Sequence, residues 1–154
     1  MKQRIYIDTS VIGGCEDEEF SQWSVQLFKE FRQGSRIAVV SDLTRKEIEK
    51  APERVKKILL SLTDLNVENV FLTEEAETLA QNYIDEAVVS AKHIVDAQHI
   101  AIASVERVDV LVSWNFQQIV NLDRIRAFNS VNLKLGYPVL EIRSPREVIR
   151  EKEI

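Results

Sequence analysis

Cysteine is almost missing from this chain, with Cys15 alone among 154 residues. A single cysteine excludes an internal disulfide and a cysteine-based zinc site, and it fits a reduced, cytoplasmic setting. No apolar run approaches the ~18 residues needed to span a bilayer, so no membrane segment is expected. The opening residues MKQRIYIDTS enter a strand-like run at once, without the apolar core of a secretion signal. There is no G-x-G-x-x-G or P-loop run, and Gly13 and Gly14 alone make a weak case for nucleotide binding. The pattern of phosphoacceptor signalling domains is also missing. It needs paired acids after the first strand and a lysine after a late one, but Thr9 follows Asp8 and PVLEI leads to Arg143.

What is present is a balanced globular composition, 45% hydrophobic and 29% charged. The length suits one domain with a real core, expected over residues 1–154. The net charge of -5 disfavours strong non-specific nucleic-acid binding. Its distribution is uneven. Residues 29–57 carry nine Lys or Arg against five Asp or Glu, whereas residues 64–109 carry two against ten. A local basic surface on an acidic molecule is therefore open to this chain. Arg45, Lys46, Lys50, Arg54 and Lys57 are its candidates for contact with nucleic-acid phosphates.

Strand-like and helix-like runs alternate. RIYID leads through TSVIGG, read as a loop, into a helix over 20–33 with Phe20, Trp23, Leu27 and Phe31 at helical spacing, ended by Gly34. RIAVVS is the next strand, and Ser41 or Asp42 caps LTRKEIEK, which stops before Pro52. A helix over 53–62 precedes the strand VENVFL, and Thr73 caps TEEAETLAQNYIDEAVV. HIVDAQHIAIASVER is helical and nearly all apolar, so it should be central. VDVLVSW is the strongest strand signal. NFQQIVN and DRIRAFNSVNLKLG read as short helical pieces, PVLEI as the last strand, and SPREVI as a helix with Ser144 at its N-cap and Pro145 at its first position. This alternation predicts an α/β domain, a three-layer α/β/α sandwich with a central, mainly parallel sheet.

In such a sheet, ligands bind beyond the carboxyl ends of the strands. Asp8 follows the first strand, Glu47 sits in the helix after the second, and Asn115 follows VDVLVSW. Asp96 lies near the start of the apolar helix, with Ile100 and Ala103 following on its stripe. Each has an ordinary reading: a turn cap for Asp8, a solvated charge for Glu47, a first-turn acid for Asp96, an N-cap for Asn115. Taken together, an oxygen-rich set of Asp, Glu and Asn suits a hard divalent cation, Mg²⁺ or Mn²⁺, which bridges to substrate phosphates. Such a metal activates water for phosphodiester cleavage without a protein nucleophile. His93 and His99 flank Asp96 but stand six apart, so a shared zinc site is disfavoured. Trp114 adjoins the set, and core burial is the expectation for it over stacking on a base.

The stretches IYIDTSVI, SDLTRKEIEKAP, VDAQHIAIA, VLVSWNFQQIVN and SPREVI, in this order and over nearly the whole chain, resemble the PIN-domain family. The likeness is to the VapC-like toxin ribonucleases of type II toxin–antitoxin modules. That resemblance implies a PIN-like fold and a Mg²⁺- or Mn²⁺-dependent endoribonuclease. Asp8, Glu47, Asp96 and Asn115 fall at the catalytic positions, with Asp8, Asp96 and Asn115 as the metal ligands and Thr9 and Ser113 in support. It also implies an RNA substrate, a cognate antitoxin and a homodimer. The family's usual residue at position 115 is aspartate. Asn115 keeps a carbonyl oxygen but removes a negative charge, which leaves a second reading open: a catalytically weak or inactive PIN-type scaffold that binds RNA or protein.

Overall fold

The apolar runs pair into one five-stranded sheet in the order β3-β2-β1-β4-β5. Its strands are β1 (Gln3–Ile7), β2 (Arg36–Ser41), β3 (Val67–Val70), β4 (Val110–Val112) and β5 (Ile142–Arg143). Every pairing is parallel, with Ile7 beside Val112 and Tyr6 beside both Val39 and Leu111. The computed structural model describes residues 1–150, so the last four residues of the domain expected over 1–154 lie outside the described residues.

Alternate residues of a strand face opposite sides, and both sides are covered. Tyr6, Val39 and Leu111 point into one apolar cluster, built with α5 (Glu74–Asp85), α6 (Ile94–Val105) and α7 (Leu122–Lys134). Ile5, Ile7, Val40 and Val112 point into the other. That side is built by α1 (Thr9–Gly13), α2 (Ser21–Arg32) and α4 (Glu53–Leu60), with the partly buried Val148 of α8 (Pro145–Val148) packed against it. The short α3 (Asp42–Ile48) follows β2 directly, and its buried Ile48 joins the second cluster. The result is the expected α/β/α layering. Ile100 and Ile102 of α6 are fully buried, each contributing roughly 1.5–3 kcal/mol by leaving water. Among the described residues no helix is long and apolar enough to cross a membrane.

Several boundaries differ from the sequence expectation. TSVIGG is helical, because Asp8 caps it and a single 3₁₀ turn, Gly14–Glu16, continues it. Gly14 is needed there for space: a Cβ would lie 2.6 Å from both Ser24 Oγ and Trp114 Nε1. Helix α5 stops at Asp85 rather than running to Val89, and Ala87 then adopts a left-handed φ of 60°. NFQQIVN is a series of turns, not a helix, since Asn121 caps the following helix through Asp123 and Arg124. The strands in VENVFL, VDVLVSW and PVLEI are shorter than their apolar runs, and Phe71 is exposed. Ser41, Thr73 and Ser144 are N-caps as expected, and Glu147 accepts the Ser144 N–H at 2.8 Å.

Candidate active site

The two-residue period of the strands decides which side chains meet. Tyr6 faces α6, so Asp8, two residues on, does too; by the same count Ser41 follows Val39 and Ser113 follows Leu111. Asp8 is buried, and its carboxylate is held by three donors. Ser10 Oγ donates to Oδ1 at 2.6 Å, the Val11 N–H to Oδ1 at 3.3 Å, and Ser113 Oγ to Oδ2 at 2.5 Å. Ser113 Oγ in turn accepts the Asn115 N–H at 2.9 Å, and Ser10 Oγ accepts the Trp114 N–H at 2.9 Å. The ends of β1 and β4 are thus tied together around one carboxylate. Burial pushes the Asp8 carboxyl above its usual pKa, against the opposing pull of His99, Ser10, Ser113 and Val11.

Glu47 reaches in from α3. Its Oε1 accepts from Thr9 Oγ1 at 2.8 Å and lies 2.9 Å from His99 Nε2. Partial burial pushes this carboxyl up, but the bonds from His99 and Thr9 outweigh it, and the net shift is downward. The other ring nitrogen, His99 Nδ1, is 2.6 Å from the Tyr6 hydroxyl, which is 2.8 Å from Ser41 Oγ. Burial raises the Tyr6 phenol well above its ordinary range, so it stays protonated.

Asp96 sits in the first turn of α6 and is partly buried. Asn115 Nδ2 stands 3.4 Å from its Oδ1, and His93 Nδ1 stands 3.5 Å from its Oδ2. Burial raises the Asp96 carboxyl; His99 and His93 oppose this, while Asp8 and Glu47 push it further up. The three carboxylates therefore share one electrostatic neighbourhood. Asn115 serves two ends of its side chain at once. Its Oδ1 accepts the Gln117 and Gln118 N–H groups at 3.2 and 2.9 Å, so the cap reading holds, while its amide nitrogen faces Asp96.

Among the described residues, no group of three or more His, Cys, Asp or Glu is arranged to hold a metal ion. A closed zinc-type cage is therefore not present in the described residues. Mg²⁺ does not need one: it keeps several waters and binds through one or two carboxylates plus substrate phosphates. Asp8 and Asp96, whose carboxyls are both raised by burial and which repel each other, could serve as donors of that kind. None of the ion pairs among the described residues brings an Arg or Lys to Asp8, Glu47 or Asp96.

The five basic candidates separate. Lys46 and Lys50 line an open groove of about 380 Å³ together with Leu43, Glu47 and Val95. Arg45 turns away to Asn69 Oδ1, at 2.8 and 3.1 Å. Arg54 pairs with Glu16 at 3.2 Å, and Lys57 is exposed on α4. Trp114 is core, as expected: Phe20 stacks on it at 4.1 Å and 13°, and its Nε1 donates to Ser24 Oγ. Phe28 and Phe31 are also buried and offer no surface to a partner.

Sequence reasoning grouped the acids but missed the role of His99 among them. The signal was present, because His99 is one helical turn beyond Asp96 and so shares its face. Comparing His99 with His93 hid this, since His93 precedes α6 as its N-cap residue and obeys no helical spacing.

A five-stranded parallel sheet flanked by helices, with acids gathered at the carboxyl ends of its strands, defines a PIN-like α/β fold. Among solved structures, the chain is similar to VapC20 of Mycobacterium tuberculosis, a sarcin–ricin-loop-cleaving toxin. The identity is 13%, over 73% of this chain and 91% of that one, with a TM-score of 0.54. It is similar to VapBC2 of Rickettsia felis, bound to a DNA fragment from their promoter, at 11% identity over 92% and 98% of the two chains and a TM-score of 0.56. It is also similar to FitAcB of Neisseria gonorrhoeae, at 14% identity over 94% and 99% and a TM-score of 0.55. No protein-family model and no curated protein matches the chain. At these identities the likeness is one of fold, and the resemblance carried by the motifs holds at that level.

Proposed function

We propose that this protein is a Mg²⁺- or Mn²⁺-dependent endoribonuclease of the VapC toxin kind, hydrolysing RNA phosphodiester bonds. The observation that carries this reading is the convergence of Asp8, Glu47 and Asp96, with no Arg or Lys paired to any of them among the described residues. Asp8 and Asp96 would hold the cation, with Asn115 beside them; the ion would activate a water and neutralise charge on the scissile phosphate. Ser113 and Ser10 orient the Asp8 carboxylate. Thr9 and His99 hold Glu47 Oε1, which favours its ionised form and leaves Oε2 to accept a proton from a water. Lys46 and Lys50, on the groove beside Glu47, are suited to backbone phosphates. The same reading brings a single domain over 1–154, an antitoxin partner, a homodimer and a cytoplasmic location. Purified protein incubated with several RNAs should cleave with Mn²⁺ or Mg²⁺ and stop with EDTA; cleavage retained in full in EDTA would remove the metal mechanism.

A second reading is supported by Asn115, whose oxygen is already engaged by two backbone N–H groups and whose amide faces Asp96. It is a PIN-type scaffold that binds RNA or protein and cuts weakly or not at all. RNA retained on the protein but left intact with either metal would favour it.

A further inference from the structure

Behind the three carboxylates lies a polar chain, Ser41–Tyr6–His99, of which only the last bond, to Glu47, enters the roles above. His99 is 3% exposed on α6, where Ala97, Ile100 and Ala103 are also fully buried. A buried imidazole needs partners for both nitrogens, and here each partner has a distinct character. Nε2 lies 2.9 Å from Glu47 Oε1, and a carboxylate held ionised can only accept, so Nε2 carries a proton and donates. Nδ1 lies 2.6 Å from the Tyr6 hydroxyl, which can donate or accept. The ring is therefore fixed in one orientation whichever way the Tyr6 bond runs. Tyr6 is anchored in turn by Ser41 Oγ at 2.8 Å, and its ring meets the imidazole edge-on, with centroids 5.7 Å apart and planes at 69°.

We infer that His99 is a positioning residue for Glu47: backed by Tyr6 and Ser41, it pins Oε1 and so aims the unbonded Oε2 at the reacting water. Glu47 needs such a brace. It projects from a seven-residue helix, its side chain is 37% exposed, and its only other hydrogen bond among the described residues comes from Thr9. An exposed glutamate without a second support samples several rotamers, and a base displaced by an ångström loses much of its effect. Groups that orient a functional side chain in this way typically cost on the order of 10–100-fold in activity when removed. The kinetic consequence rests on the nuclease reading; the hydrogen bond from Nε2 to Glu47 does not.

Two substitutions separate this role from simple core filling. The side-chain amide nitrogen of glutamine reaches the place of Nε2, whereas that of asparagine reaches the place of Nδ1. Both remove the ring and should lower the melting temperature by similar amounts. His99→Gln should retain most of the wild-type kcat, while His99→Asn should lose roughly 10–100-fold in kcat with KM little changed. A second measurement does not depend on cleavage. In protein labelled with ¹⁵N-histidine, the His99 Nε2–H proton should appear as a slowly exchanging, downfield signal, and Glu47→Ala should move it upfield and speed its exchange. Equal kcat values for the two His99 variants would overturn the proposal. So would an Nε2–H signal indifferent to Glu47→Ala, even if the wild-type protein cuts RNA. Wild-type protein that cuts no RNA, yet shows the coupled Nε2–H signal, would refute the nuclease reading and leave the His99–Glu47 brace standing.

Discussion

Carboxylates are buried at both ends of this sheet, yet among the described residues arginine pairs with them at only one. At the amino ends of the strands, Glu30 and Arg36 are both buried and stand 3.4 Å apart, and Glu30 also accepts from Gln26 Nε2 and the Arg150 N–H, each at 3.1 Å. Nearby, Arg4 pairs with Glu68, and its N–H donates to Asp109 Oδ2 at 2.7 Å. At the carboxyl ends, Asp8, Glu47 and Asp96 meet hydroxyls, two histidines and an amide. A buried charge is costly unless it is paired. The first end pairs its buried charges within the chain, although Glu30 Oε1 and Arg36 Nε make no hydrogen bond among the described residues, and so reads as structure. The second satisfies that rule only in part, and this contrast is what supports assigning function there.

The strongest way to break the comparison is to neutralise one acid at each end. Asp8→Asn and Asp96→Asn should each reduce RNA cleavage to background while the circular dichroism spectrum stays native. Wild-type rates in either variant would mean that the site lies elsewhere. At the opposite end, Glu30→Gln leaves Arg36 buried without its partner and should cost about 3–5 kcal/mol of stability in urea titration. Cleavage per folded molecule should be unchanged. A nearly silent Glu30→Gln would erase the distinction drawn between the two ends.

A subtler contrast concerns pH. The Asp96 carboxyl is raised by burial and by Asp8 and Glu47, so the folded protein keeps this proton at pH values where the unfolded chain has released it. Metal-free stability should therefore fall as pH rises from the ordinary carboxylate range through the raised folded value. Asp96→Asn removes this loss. By thermal denaturation without divalent ions, the variant should melt a few degrees higher than wild type at neutral pH and converge with it in acid. The smallest expected effect is that of Asn115→Asp, which adds a carboxylate where the Asn115 amide now stands 3.4 Å from Asp96 Oδ1. Calorimetry should show tighter Mg²⁺ binding and thermal melts a slight loss of metal-free stability; unchanged affinity would put position 115 outside the ligand set.

The layered α/β architecture was legible in the sequence, because strand and helix periods are local. RIAVVS and RIYID alternate correctly across the sheet, the apolar HIVDAQHIAIA became a deeply buried helix, and the caps at Ser41, Thr73 and Ser144 need only their immediate neighbours. The gathering of acids at one end was legible for a related reason: Asp8 lies just past a strand end, Glu47 in the short helix after one, and Asp96 in the first turn of a helix. Local rules failed where a distant group decided the outcome. TSVIGG closes into a helix whose Gly14 packs against Trp114 and Ser24, whereas the turns of NFQQIVN end at a cap, Asn121, that lies within the run itself. Only the fold joined Asp8 to Ser113 across 105 residues and Glu47 to His99 across 52. It alone also separated Lys46 and Lys50, on the groove beside Glu47, from Arg45 and Arg54, which bond elsewhere. Sequence periodicity sets which face a side chain occupies. Which faces meet depends on strand register and helix crossovers, and these are fixed only when the two apolar layers close on the sheet.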